Sequence, residues 1–145
     1  MNERKNQKPL KALLIEDDLL CQIAEKTLLE MHGFEIDTAG TAEEGLNLLS
    51  EKETDENLKP YDVIFVDIKL PDFDGDHIAE VIQKTTPDHI TIPILAITAH
   101  LTEEKKHIWQ GKGISMIIEK PLTENKIQQI MELIFTESRR LALLR

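Results

Sequence analysis

Apolar positions in this chain fall into two alternating rhythms. Short apolar runs occupy residues 11–15, 63–66, 93–97 and 115–118, and residues 34–39 alternate apolar with polar. A run of four or five apolar residues bounded by polar ones reads as a strand buried on both faces, and alternation reads as a strand buried on one. Between these runs the apolar positions recur at helical spacing. Leu20, Ile23, Ala24, Thr27, Leu28 and Met31 form one stripe, Ala42, Leu46 and Leu49 a second, and Ile78, Val81 and Ile82 a third. Ile127, Ile130, Met131 and Ile134 form the stripe of the last helix. Punctuation agrees with these assignments. Gly33 stands where a C-cap belongs, and Thr41 with Glu44 has capping-box spacing. Pro93 opens its strand, where a missing N–H is tolerated. Thr102 opens a helix that Gly111 or Gly113 stops, and Thr123 caps the last one.

Strand and helix therefore alternate five times. Such alternation predicts an α/β fold with a parallel sheet, helices on both faces and right-handed crossovers. Residues 10–136 are expected to form this domain. Residues 1–9 read as a polar leader or linker, residues 51–60 as a charged loop or frayed helix, and residues 137–145 as an extension of the last helix or a linker stub.

Composition narrows the function classes. The chain has 145 residues, 41% hydrophobic and 30% charged, which suits one globular domain. A formal net charge of −10 argues against nonspecific nucleic-acid or anionic-membrane binding and is compatible with binding cations. Cys21 is the lone cysteine, so an internal disulfide and a cysteine-based zinc site are excluded. No apolar stretch approaches the ~20 residues of a membrane span, and no signal-peptide core follows the start. A cytoplasmic location is the expectation.

The chemistry gathers where the strands end. The first strand leads to Glu16 and Asp17, the third to Asp67, the fourth to Thr98 and the fifth to Lys120 followed by Pro121. In a doubly wound sheet of order 2-1-3-4-5, the first and third strands are neighbours at the switch point, beyond whose carboxyl ends ligands bind. Three carboxylates crowded there raise one another's pKa unless a cation intervenes. An all-oxygen set with open positions suits Mg²⁺. With a lysine, a hydroxyl and one free carboxylate, these are the parts of a phosphoryl-transfer site in which the carboxylate can be the nucleophile. Other phosphate chemistries fit less well. A Gly-rich phosphate loop is missing, and Lys69 stands where a dehalogenase-type phosphatase needs a second aspartate. The run from Asp72 to Asp76 fails as an EF-hand, because Leu70 and Val81 fall where acids are required.

Four segments, Leu13 to Asp18, Asp62 to Gly75, Ile94 to His100 and Glu119 to Leu122, occur in the order and at the spacing of the response-regulator receiver domains of two-component systems. The chain resembles that family over roughly residues 11–135. The resemblance implies a flavodoxin-like sheet and a phosphorelay role, with similarity to the receivers of hybrid sensor histidine kinases. It implies Asp67 as phosphoacceptor, and Asp17 and Glu16 with the backbone carbonyl of Lys69 and Asp67 itself as the Mg²⁺ set. It further implies Thr98 and Lys120 as contacts to the phosphoryl group, and a cis bond before Pro121. The implied partners are a histidine kinase or a histidine phosphotransfer domain, and a dimer through the fourth or fifth helix is left open. The domain would catalyse its own phosphoryl transfer and hydrolysis. Ile117 lies three residues before Lys120, where many receivers carry an aromatic residue, and this favours relay over direct output. A receiver fold acting as a phosphorylation-independent interaction module is the rival reading.

Overall fold

The computed structural model describes residues 9–51, 59–67, 75–85, 92–110 and 113–143. In chain order the elements are β1 (Leu10–Ile15), α1 (Leu19–Met31), β2 (Phe34–Ala39), α2 (Ala42–Glu51), β3 (Val63–Asp67), α3 (Gly75–Thr85), β4 (Ile94–Thr98), α4 (Glu103–Gln110), β5 (Met116–Glu119) and α5 (Glu124–Leu143). The strands form one sheet in the order β2-β1-β3-β4-β5. Every neighbouring pair is parallel, with Ile15 opposite Val66, Asp67 opposite Ile97 and Thr98 opposite Glu119. This is the doubly wound α/β sheet expected from the alternation.

Strand residues point alternately to the two faces, which splits the core in two. Leu13, Ile15, Ile64, Val66, Ile94 and Ala96 pack with Ala42, Leu49, Ile78, Ile82 and Trp109 of α2, α3 and α4. Leu14, Val63, Phe65, Leu95 and Ile97 pack with Leu29 of α1 and with Ile127, Ile130 and Ile134 of α5. Because β3 and β4 are covered on both sides, all five residues of each are buried. Burial on both faces is why these two strands read as continuous apolar runs.

Local chemistry fixes the helix ends. Asp18 caps α1 by accepting from the Cys21 N–H at 2.9 Å. Gly33 follows α1 with φ +91°, a left-handed position that a glycine fills without strain. Thr41 accepts from the Glu44 N–H at 3.1 Å, while the Glu44 carboxylate reaches back to the Gly40 N–H at 2.8 Å. The reciprocal bond of the capping box thus lands one residue before Thr41. Thr123 caps α5 through the Lys126 N–H at 3.3 Å. Helix α5 runs on to Leu143.

Several expectations shift. Strand β1 begins one residue earlier, at Leu10, and β4 and β5 each sit one residue later than their apolar runs, because Thr98 and Glu119 still pair; Pro93 precedes β4 rather than opening it. The stripe assigned to α1 is wrong in phase. Leu20 is 80% exposed and Ile23 53%, and Met31 is exposed too, whereas Glu25 and Leu29 are buried. The sheet contact of α1 is set by Leu29 against β1 and β3 and by Gln22, whose amide donates to the Glu16 carbonyl at 3.0 Å. That orientation turns the stripe of Leu20 and Ile23 outward. Residues 1–8 of the expected leader, Gly111, and the loop 68–74, including Lys69, lie outside the described residues.

Candidate functional site

The carboxyl ends of β1, β3, β4 and β5 converge. Asp67 and Thr98 are the last residues of β3 and β4, Glu16 and Asp17 follow β1, and Lys120 follows β5. Parallel pairing puts all these ends on one edge of the sheet, so the side chains meet without any long-range loop having to carry them. Lys120 Nζ donates to Glu16 Oε1 at 2.6 Å and to Asp67 Oδ2 at 3.2 Å. One carboxylate oxygen each from Glu16, Asp17 and Asp67 lie within 4.8 Å of one another. The peptide bond between Lys120 and Pro121 is cis, as the sequence resemblance implied.

A cleft of about 380 Å³ opens over this cluster, walled by Asp17, Asp67, Thr98, His100 and Lys120 together with Asp18, Ala99 and Cys21. Asp17 is exposed in it, whereas Glu16 is 1% exposed behind it. Glu16 is held in place by Lys120 and by the Asp18 N–H, which donates to Glu16 Oε2 at 3.2 Å. Thr98 Oγ1 accepts from the His100 N–H at 3.2 Å, so its hydroxyl is fixed at the mouth of β4. Leu101 N–H donates to Glu119 at 3.0 Å, which ties the β4–α4 turn to β5.

The electrostatics follow from crowding. Burial pushes the Glu16 carboxyl up to about 8, reinforced by the Asp67 carboxylate beside it and only partly offset by Lys120. Burial also works against the Lys120 ammonium, but Glu16 and Asp67 overcome it and hold its pKa above the ordinary lysine range. One ammonium therefore serves two buried acids, and a third acid faces the cleft. Hard oxygen donors at this spacing, carrying more negative charge than Lys120 can balance, suit a small divalent cation.

The sequence named Glu16, Asp17, Asp67, Thr98 and Lys120, and the structure brings all five together; Lys69 lies outside the described residues. It did not flag Cys21 as a wall of the cleft, nor Glu25, an acid buried on α1. Periodicity alone could have placed Glu25 one turn after Cys21, but no motif marks it.

A model of the response regulator receiver domain matches residues 12–132. The chain belongs to this family. It is 31% identical over 114 residues to the aerobic respiration control sensor protein ArcB of Escherichia coli, covering 79% of this chain and 14% of that protein. It is 27% identical over 127 residues to the transcription factor SKN7 of Chaetomium thermophilum, covering 88% and 15%. The chain thus spans about one-seventh of the length of these curated relatives. The receiver domain of the sensor histidine kinase PA1611 from Pseudomonas aeruginosa PAO1, solved with a magnesium ion coordinated in its active site cleft, superposes with a TM-score of 0.70. That pair is 22% identical and covers 87% of this chain and 98% of the other. Among the described residues no helix is long and apolar enough to cross a membrane.

Proposed function

We propose that the receiver accepts a phosphoryl group from a phosphohistidine onto Asp67 and passes the signal on within a cytoplasmic phosphorelay. The observation that carries this reading is the double contact of Lys120 Nζ, at 2.6 Å from Glu16 and 3.2 Å from Asp67, beneath an open cleft. A lysine so held restrains the Asp67 carboxylate from one side, at the floor of the open cleft.

The reacting carboxylate oxygen forms a bond to phosphorus while the P–N bond of the donor breaks, its electron pair staying with the imidazole. Charge builds on the equatorial oxygens, and a fixed cation lowers that cost because it needs no reorganisation. Lys120, held by Glu16, supplies it. Thr98, anchored by His100 N–H, contributes a hydroxyl to another oxygen. Mg²⁺, held by Asp17, Asp67, Glu16 and the backbone carbonyl of Lys69, would supply further positive charge to the same oxygens. Glu16 keeps Lys120 aligned in the meantime. The product adds ~−2 charge at the mouth of β3 and β4. Ile117 packs partly buried against the core on the α2–α4 face and offers no ring or hydroxyl to move with Thr98, which supports relay over direct output.

The partners of this reading are a histidine kinase or a histidine phosphotransfer domain, with residues 10–136 as the working unit. Incubation with Mg²⁺ and acetyl phosphate is expected to add one phosphoryl group by intact mass. Asp67→Asn is expected to add none. An unmodified wild-type chain would instead mark the fold as an interaction module.

A further inference from the structure

Two helices of this chain open on a threonine cap, and they differ at the third helical position. Glu44 holds that place in α2 and reaches back to the Gly40 N–H. In α5 the cap is Thr123 and the third position is Lys126, whose N–H donates to Thr123 Oγ1 at 3.3 Å. A lysine there opposes the positive end of the helix macrodipole and offers no acceptor to the free N–H groups of the first turn. Capping and helix electrostatics both favour glutamate at this place, so the lysine has another cause.

That cause is a pair of carbonyls behind the helix. Lys126 Nζ donates to the Glu119 carbonyl at 2.6 Å and to the Pro121 carbonyl at 3.0 Å. These residues flank Lys120 on both sides. A glutamate could make neither bond, because an ionised carboxylate only accepts. Ile127 and Ile130, the next core residues of α5, are fully buried, so the Lys126 stem starts from a fixed part of the helix.

Lys120 depends on the backbone so held. Its N–H donates to the Thr98 carbonyl at 2.7 Å, and beyond that bond the chain leaves the sheet. Its ammonium must span from the end of β5 to Glu16 and Asp67. The Asp67 bond, at 3.2 Å, lies at the long limit for an N–H···O contact, whereas Glu16 is bound at 2.6 Å. A small shift of the turn would therefore lose Asp67 first. Charge-assisted bonds to both flanking carbonyls oppose that shift. We infer that Lys126 is a positioning residue for phosphoryl transfer, clamping the backbone on both sides of Lys120 so that its ammonium reaches Asp67. The effect on transfer rests on the phosphorelay reading; the holding of Lys120 does not.

The test uses the full chain, ¹³C-labelled, in three variants. Lys126→Met keeps the stem and loses the donor. Lys126→Arg keeps charge and donor. Thr123→Ala removes the cap of α5 and leaves the Lys126 ammonium in place. In ¹H–¹³C spectra the two Hε protons of Lys120, assigned by their loss in Lys120→Ala, differ in shift while the ammonium is held. Lys126→Met is expected to bring them toward the single value of a free lysine, and Lys126→Arg to keep them apart. Labelling of Asp67 by acetyl phosphate with saturating Mg²⁺ is expected to slow about tenfold in Lys126→Met, and by less than about twofold in the other two. The loss is expected to persist in about 0.5 M KCl, which screens a charge acting from a distance. Lys120 Hε shifts that are the same in wild type and Lys126→Met overturn the clamp. So does Thr123→Ala slowing the labelling as much as Lys126→Met, which would reduce Lys126 to a support of the helix start. A wild type that takes no label refutes the relay alone, and the Hε shifts still decide the clamp.

Discussion

Glu16 makes the metal-free chain lose stability as pH rises through neutrality. Its carboxyl has an ordinary value of 4.5 and a folded value of about 8. The folded state therefore holds this proton more tightly than the unfolded state. The stabilisation is complete below the unfolded value and is lost as pH climbs through the folded one. Between about pH 5.5 and about pH 8.5, integrating the difference in proton uptake gives a loss of about 3 kcal/mol. With a urea m-value of about 1.5–3 kcal/mol/M, the unfolding midpoint falls by about 1–2 M over that range. Trp109, buried at 8% exposure on α4, reports unfolding by fluorescence. The informative quantity is the difference from Glu16→Gln, which shares every other ionisable group and whose neutral amide keeps the shape but cannot ionise. The wild type is expected to lose about 3 kcal/mol more than the variant. Saturating Mg²⁺ is expected to flatten the wild-type curve, because the ion takes over the charge that the proton had neutralised. Parallel curves for the two proteins without metal would refute the placement of Glu16 as a desolvated acid.

Lys120→Ala leaves two buried acids facing each other without a cation. It is expected to cost about 3 kcal/mol near pH 8 and less near pH 5.5, by urea denaturation, and to abolish acetyl phosphate labelling. Tyr61 is buried, and its hydroxyl donates to Asp37 Oδ2 at 2.7 Å. Tyr61→Phe is expected to lower stability by about 1.5 kcal/mol in thermal melts while labelling of Asp67 persists, since Tyr61 precedes β3 rather than following it. A Cβ added at Gly45 would lie 2.5 Å from Ile15 Cδ1. Gly45→Ala should therefore overpack α2 on β1 by more than the ~1 kcal/mol it gains in helix propensity, and a raised melting temperature would contradict that packing.

The candidate site was legible because one constraint governs both sequence and structure there. A strand covered on both faces must be apolar until it leaves the sheet, so the first polar residue after Val66, Ile97 or Ile118 marks an edge, and parallel pairing puts every such edge on one side. Asp67, Thr98 and Lys120 are readable for that reason, and Glu16 and Asp17 with them. Lys120 stands one place beyond the strand, because Glu119 still pairs with Thr98. Helix α1 obeys no such constraint. A helix has several faces, and which one meets the sheet depends on Leu29 packing into the core and on Gln22 reaching back to the Glu16 carbonyl. Choosing the most apolar stripe put Leu20 and Ile23 inside and left Glu25 unremarked. The structure reverses this: two large apolar side chains face outward and one acid faces inward beside Lys120. Apolar periodicity assumes that a helix serves only its own core. Where a helix takes its orientation from other contacts, apolar residues such as Leu20 and Ile23 are left outside and an acid such as Glu25 is turned in.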